Sequence, residues 1–134
     1  MGLKNPARLK EYVAKFDAEC RAAGARTALY LTWARKHTPA RQGEITAAYE
    51  EAARDIAAIV VPVGIAWQRA MQIQPKLALH VWDRSHPSMA GSYLAACVFY
   101  ATLIGQSPVG LPADGLSVTD AAVLQRAALE VCTG

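Results

Sequence analysis

Two short apolar runs constrain the fold of this chain more than any other feature. They are Arg26–Ala34, "RTALYLTWA", and Ala57–Gly64, "AAIVVPVG". Both are continuously apolar and rich in strand-forming residues, which is typical of strands buried on both faces. An amphipathic helix that begins near Glu44 separates them. Strand, helix and strand in this order predict a βαβ unit with parallel strands and a right-handed crossover.

Helical patterns surround this unit. Asn5 and Pro6 have the form of an N-cap followed by proline at the first helical position, and the helix they open ends at Gly24. Three further helices are predicted at Ile65–Ile73, from Ser88 to Ile104, and from Ser117 to Val131. The helix after Ser88 is apolar nearly all round, so we expect it to be buried.

The number of strands predicts an incomplete domain. Two parallel strands alone do not make a stable sheet, because parallel strands occur in larger sheets covered on both faces. Residues 1–134 therefore form a single α/β domain that corresponds to the second half of a doubly wound fold. We expect an N-terminal half or a second copy of the chain to extend the sheet.

Composition excludes several classes of function. The chain is 53% hydrophobic and 19% charged, with a net charge of +3 that is scattered along the sequence, so neither disorder nor a nucleic-acid interface is indicated. A small basic group in one loop, Arg35 to His37 with Arg41, is a weak candidate for ligand contact. We expect no cofactor and no metal, because the histidines and cysteines lack the spacing of metal ligands. No apolar run is long enough for a membrane span, and no signal peptide is visible; the compartment is not indicated.

Asp83 and His86 are the candidate catalytic residues. A carboxylate that accepts a hydrogen bond from one imidazole nitrogen fixes the tautomer, and the other nitrogen can then take a proton from a hydroxyl. Pro87 restricts His86 to extended backbone. The alternative is structural: Asp83 ends a turn, and His86 is an ordinary loop histidine.

The string that contains this pair, "DRSHPSMAGSYLAACVFYATLIGQSPVG", resembles the C-terminal block of the SGNH (GDSL-type) hydrolases. That block carries D-x-x-H before the final long helix, and the similarity extends from about Ala7 to Pro112. The resemblance implies a flavodoxin-like three-layer α/β/α sandwich and a serine esterase acting on acyl or acetyl esters. It also implies that His86 is the general base and Asp83 its orienting partner.

The chain departs from the family pattern in its nucleophile. The G-D-S block and the glycine and asparagine of the oxyanion hole are missing, and "DGLSV" at Asp114–Val118 follows no strand. Ser85, Ser88 and Ser92 lie near His86 but lack the strand-to-helix elbow that exposes a nucleophile.

We therefore expect the chain to supply the Asp and His of a triad and to be inactive alone. The alternative is a non-catalytic module that acts in binding or oligomer assembly. Trp33 and Trp82 are candidates to contact substrate, with core packing as the alternative for both.

Overall fold

The computed structural model describes residues 4–133, and all structural statements below concern that part of the chain. The fold is α/β and 60% helical, with a two-stranded parallel sheet. The elements are α1 (Pro6–Ala22), β1 (Ala28–Tyr30), α2 (Gln42–Ile56), β2 (Ile59–Val61), α3 (Val63–Ile73), α4 (Met89–Phe99) and α5 (Val118–Thr133). A 3-10 turn at Pro39–Arg41 precedes α2, and a π-helical turn at Tyr100–Ile104 continues α4.

The predicted helix starts at Asn5 and Ser88 are confirmed by their caps. The Asn5 side chain accepts a hydrogen bond from the Arg8 amide at 3.1 Å, and Ser88 Oγ accepts one from the Gly91 amide at 3.2 Å. These contacts satisfy N–H groups that have no partner inside the helix. Gly105 ends the π-helical turn with φ of +74°, in the left-handed region that glycine adopts without a steric penalty.

The parallel pairing of the strands is also confirmed, with Ala28, Leu29 and Tyr30 opposite Ile59, Val60 and Val61. Each strand has three residues and is shorter than predicted. The segment after β1 leaves the ladder because the buried side chain of Gln42 bonds its backbone. Gln42 Oε1 accepts from the Ala34 amide at 2.7 Å, and Gln42 Nε2 donates to the Thr32 carbonyl at 3.0 Å.

The prediction that β1 is buried on both faces is wrong. On one face Leu29 is buried in a cluster with Val13 of α1 and with Ala52 and Ala53 of α2. On the other face Tyr30 remains 39% exposed, although its ring meets Phe99 edge-on at 4.9 Å between centroids. The described sheet ends at β1, so no further described strand covers the outer side of Tyr30.

The main core lies between α3, α4 and α5, where Leu94, Val98 and Leu124 are fully buried. Its centre includes a parallel stack of Trp33 on Trp67, with centroids 4.3 Å apart. The prediction for α4 is confirmed only for its inner side, because Leu103 and Ile104 in the π-helical turn are 48% and 60% exposed. Within residues 4–133, no helix has the length and apolar character of a membrane span.

Candidate active site

Asp83 and His86 lie in a closed loop that connects α3 to α4; residues 79–88 are called the Asp83–His86 loop below. The Val81 amide donates to the His86 carbonyl at 2.9 Å, and the Ser88 amide donates to the Leu79 carbonyl at 2.8 Å. An antiparallel bridge joins His80 to Pro87 between these two bonds. The loop therefore has the internal bonding of a short hairpin.

The Asp83 carboxylate is held at every oxygen. Oδ1 accepts hydrogen bonds from the amides of Ser85 and His86, each at 2.9 Å, and Oδ2 pairs with Nδ1 of the His86 ring. The imidazole bond, followed by the two amides, lowers the pKa of Asp83 from 3.8 to about 2. Asp83 is consequently ionised near neutral pH, with its orientation fixed by the backbone.

The His86 ring is open to solvent on its other side. Its side chain is 71% exposed, against 24% for Asp83. Because an ionised carboxylate only accepts hydrogen bonds, the neutral ring carries its proton on Nδ1. Nε2 then has a free lone pair, and no described residue bonds to it. This is the arrangement that a general base requires.

Three hydrogen bonds tie the loop to the segment that follows β1. Trp33 Nε1 donates to the Ser85 carbonyl at 2.8 Å, the Lys36 amide donates to the Arg84 carbonyl at 2.9 Å, and His80 Nε2 lies 3.1 Å from the Ala34 carbonyl. The Asp83–His86 pair is thereby positioned at the carboxyl end of β1, where open α/β sheets bind ligands. Sequence analysis missed these anchors, because a buried tryptophan gives no signal of a long-range bond to a carbonyl.

The two tryptophans predicted to contact substrate have opposite environments. Trp33 is 8% exposed, whereas Trp82, next to Asp83, is 92% exposed. Trp33 stacks on Trp67 and bonds Ser85, so it has a structural task already. Substrate contact by either tryptophan stays a prediction.

Among the serines near His86, Ser88 has structural partners for its hydroxyl within the described residues. Ser88 Oγ donates to the Ala78 carbonyl at 2.7 Å while it caps α4. The Ser85 amide bonds Asp83, and Ser92 lies on an exposed side of α4. None of the three stands at a strand-to-helix elbow, so the nucleophile remains unidentified among the described residues.

Gly91 explains part of the D-x-x-H-P-S-x-x-G pattern physically. A Cβ at Gly91 would come closer than 3.0 Å to the Leu79 carbonyl and to the Trp67 ring. The first turn of α4 can therefore approach the loop only because residue 91 has no side chain. Together, Ser88 and Gly91 fix the distance between α4 and the Asp83–His86 loop.

The basic residues Arg35, Lys36 and His37 are exposed in the loop after β1, and Arg41 pairs with Glu44 at 3.3 Å. The loop backbone takes part in the site through Lys36. Ligand contact by these side chains stays a prediction.

Comparison with known proteins gives one structural likeness. No protein-family model matches the chain, and no curated protein matches it. The crystal structure of a DUF4886 family protein from Bacteroides uniformis superposes with a TM-score of 0.73 at 19% sequence identity, over 93% of this chain and 58% of that chain. At this identity the likeness concerns the fold alone. The chain spans little more than half the length of that protein.

Proposed function

We propose that this chain supplies the acid–base arm of a serine ester hydrolase of the SGNH type. The observation that carries the proposal is the pairing of His86 Nδ1 with Asp83, whose carboxylate is itself fixed by two backbone amides. The exposure of the His86 ring adds to it, since Nε2 is accessible to a second reactant. The substrates implied are acyl or acetyl esters.

In this proposal His86 moves protons and Asp83 stabilises the charged imidazole. Nε2 removes the proton from a serine hydroxyl as its oxygen attacks the ester carbonyl, and returns that proton to the departing alkoxide. Water then attacks the acyl-serine with His86 as base again, which releases the carboxylic acid. The serine and the oxyanion donors come from another stretch of polypeptide, so the chain alone is inactive.

The finer fold belongs to the same proposal. A flavodoxin-like three-layer α/β/α sandwich needs more strands next to the pair β1 and β2. Support comes from helices that pack on both faces of the pair, through Leu29 and through Val61, and from the greater length of the similar DUF4886 protein. An N-terminal half, or a second copy, extends the sheet.

A second candidate function is a non-catalytic module that acts in binding or assembly. Large apolar side chains are exposed on α1 and β1, among them Phe16 at 67% and Tyr30 at 39%. An open strand edge next to exposed aromatic residues favours association. This candidate leaves the Asp83–His86 pair without a catalytic task.

The tautomer of His86 tests the acid–base proposal directly. We expect nitrogen NMR of the neutral ring to show the proton on Nδ1, and the Asp83→Asn variant to lose the preference. His37, exposed in another loop, is the internal control and should not respond. A proton on Nε2 of His86 in the unaltered chain would contradict the role of general base.

Ester hydrolysis tests the second half of the proposal. With 4-nitrophenyl acetate, the purified chain should react no faster than free imidazole, and His86→Ala and His37→Ala should each lower that background to a similar extent. A fast rate that only His86→Ala abolishes would show that the chain contains a nucleophile, and the proposed division between two polypeptide stretches would be wrong.

A further inference from the structure

The outer edge of β1 has unpaired backbone groups. In a parallel pair, alternate residues direct both N–H and C=O toward the same neighbour. The Leu31 amide bonds the Val61 carbonyl and the Ile59 amide bonds the Thr27 carbonyl, so Thr27, Leu29 and Leu31 face β2. Ala28 and Tyr30 consequently direct their N–H and C=O groups away from β2. No described strand lies there.

Helix α1 places exposed aromatic residues beside this edge. Lys10 pairs with Glu51 and Asp55 of α2, which identifies the flank of α1 that faces α2. At 100° per residue, Tyr12 and Phe16 lie on the opposite flank of α1. Because α2 connects β1 to β2, the flank turned away from α2 is also turned away from β2. They are 43% and 67% exposed, although helix periodicity makes them part of the apolar stripe that contains the buried Val13.

The other face of the edge is apolar as well. Tyr30 packs against Phe99 at the end of α4, and the following turn exposes Leu103 and Ile104. We call the whole region the β1 edge surface; it comprises Tyr12, Phe16, Ala28–Tyr30, Phe99, Leu103 and Ile104. It combines unpaired backbone with apolar side chains on both sides, which is the composition of an interface core.

The charges that flank Tyr12 and Phe16 make this surface complementary to itself. Ala14 is midway between the two aromatic residues. Arg8 precedes it by six residues and Glu19 follows it by five, and both lie on the same flank of α1 as Tyr12 and Phe16. In a helix these offsets are roughly 8–9 Å to either side. When two copies of α1 run antiparallel, Arg8 of each copy is level with Glu19 of the other.

The strand has the same symmetry. A two-fold axis through Leu29 makes the two β1 strands antiparallel and places Ala28 of one copy opposite Tyr30 of the other. Both residues direct their backbone groups outward, so each pair exchanges two N–H···O=C hydrogen bonds. The strand edge, the aromatic residues and the charges of α1 are each self-complementary about a two-fold axis, as an isologous interface requires.

We propose that the β1 edge surface binds a second copy of this chain and forms a symmetric dimer with one continuous four-stranded sheet. The dimer and a serine-bearing polypeptide exclude each other, because both need the outer edge of β1. The dimer is thus the catalytically idle form of the chain. The idle state and the exclusion rest on the proposed function, whereas the dimer itself depends only on the β1 edge surface.

Sedimentation equilibrium of the purified chain tests the dimer. We expect twice the mass of one chain for the unaltered protein and one chain mass for Phe16→Glu. The matched control is Val118→Glu, since Val118 is 80% exposed at the start of α5 and lies outside the surface. Circular dichroism should be unchanged in both variants, because neither side chain is in the core.

Exchange of the flanking charges tests the geometry. Arg8→Glu and Glu19→Arg should each weaken dimerisation by about tenfold, because the axis repeats each like-charge contact twice. The double variant should restore the affinity. A monomeric unaltered chain, open-ended assemblies, or a dimer that survives Phe16→Glu would overturn the proposal, and failure of the double variant to recover would overturn the antiparallel arrangement. None of these results depends on the tautomer of His86.

Discussion

The Asp83–His86 loop and the β1 edge surface lie close to the same strand but differ in how fully their polar groups are satisfied. In the loop, both Asp83 oxygens, the Ser85 carbonyl and the His86 amide have partners. At the surface, the outward backbone groups of Ala28 and Tyr30 have none within the described sheet. The polar groups of the loop are thus satisfied by contacts within the chain, whereas those of the strand edge are not satisfied within the described residues.

The two regions also differ in whether contacts within the chain bury and order their residues. The loop is ordered by contacts made within residues 31–91, so its geometry needs no partner. The β1 edge surface leaves aromatic residues in water, where a second polypeptide would bury them. Under the proposed function, this is the division expected of a domain that positions a base and works in an assembly.

The largest expected effect is a loss of stability where α4 contacts the Asp83–His86 loop. Gly91→Ala places a methyl group against the Leu79 carbonyl and the Trp67 ring, both under 3.0 Å away. Backbone cannot yield as a flexible side chain does, so we expect a loss of about 2–3 kcal/mol in the free energy of unfolding. Urea denaturation measures this loss.

Gly43→Ala is the control for Gly91→Ala. Gly43 lies in the first turn of α2, and nothing stands within 4 Å of a Cβ built there. Alanine should leave stability unchanged or raise it by up to about 1 kcal/mol. Equal destabilisation at both positions would show that the close approach of α4 to the loop is not what Gly91 provides.

Sequence patterns predicted the local parts of the fold. The structure confirms the caps at Asn5 and Ser88, which depend on residues close in sequence. It also confirms the parallel pairing of β1 with β2, which follows from the order strand, helix, strand. The length and burial of β1 could not be predicted. The length depends on Gln42, whose side chain bonds the backbone of Thr32 and Ala34, and the partial exposure follows from the position of β1 at the edge of the described sheet.

The candidate site was predictable only in part. The spacing of Asp83 and His86 left a catalytic pair and an ordinary turn both open, and the resemblance to the SGNH hydrolases favoured the pair. The bond from Trp33 to Ser85 joins residues 52 positions apart, and no periodic pattern in the sequence predicts a contact of that range. Short-range chemistry was accessible from the sequence, whereas the anchors of the loop required the tertiary structure.

The second largest effect is expected from loss of the hydrogen bond between Trp33 and Ser85. Trp33→Phe keeps an aromatic ring on Trp67 but removes the donor to the Ser85 carbonyl. We expect a loss of about 1–2 kcal/mol in the free energy of unfolding and faster amide exchange at Ser85 and His86. Trp82→Phe, at a site 92% exposed, is the control and should change neither. If exchange at the two amides stays the same in Trp33→Phe, the bond from Trp33 is not what orders this part of the loop.

A smaller, local effect is expected in acid. The pKa of Asp83 is lowered from 3.8 to about 2 by its bonds to His86 and the two amides, so its contribution to stability is present above pH 3.8 and disappears as the pH falls toward 2. Amide exchange at Ser85 and His86 should therefore accelerate over that interval. Asp83→Asn has no titrating carboxyl, and its loop should show no such pH dependence. An identical acceleration in the variant would assign the change to other carboxylates, such as Asp17, whose pKa is lowered by Thr27 and Arg21.

The smallest effect separates the exposed tryptophan from the buried ones. Trp33 and Trp67 are 8% and 2% exposed, whereas Trp82 is 92% exposed in a loop whose backbone is firmly bonded. Trp82→Phe should remove nearly all fluorescence that acrylamide quenches and change the free energy of unfolding by less than about 0.5 kcal/mol. If quenching persists in Trp82→Phe, Trp33 is accessible, and the Asp83–His86 loop opens in solution even though its hydrogen bonds are satisfied. The contrast between an ordered loop and an unfinished strand edge would then be one of degree, and a partner polypeptide would be needed to order both regions.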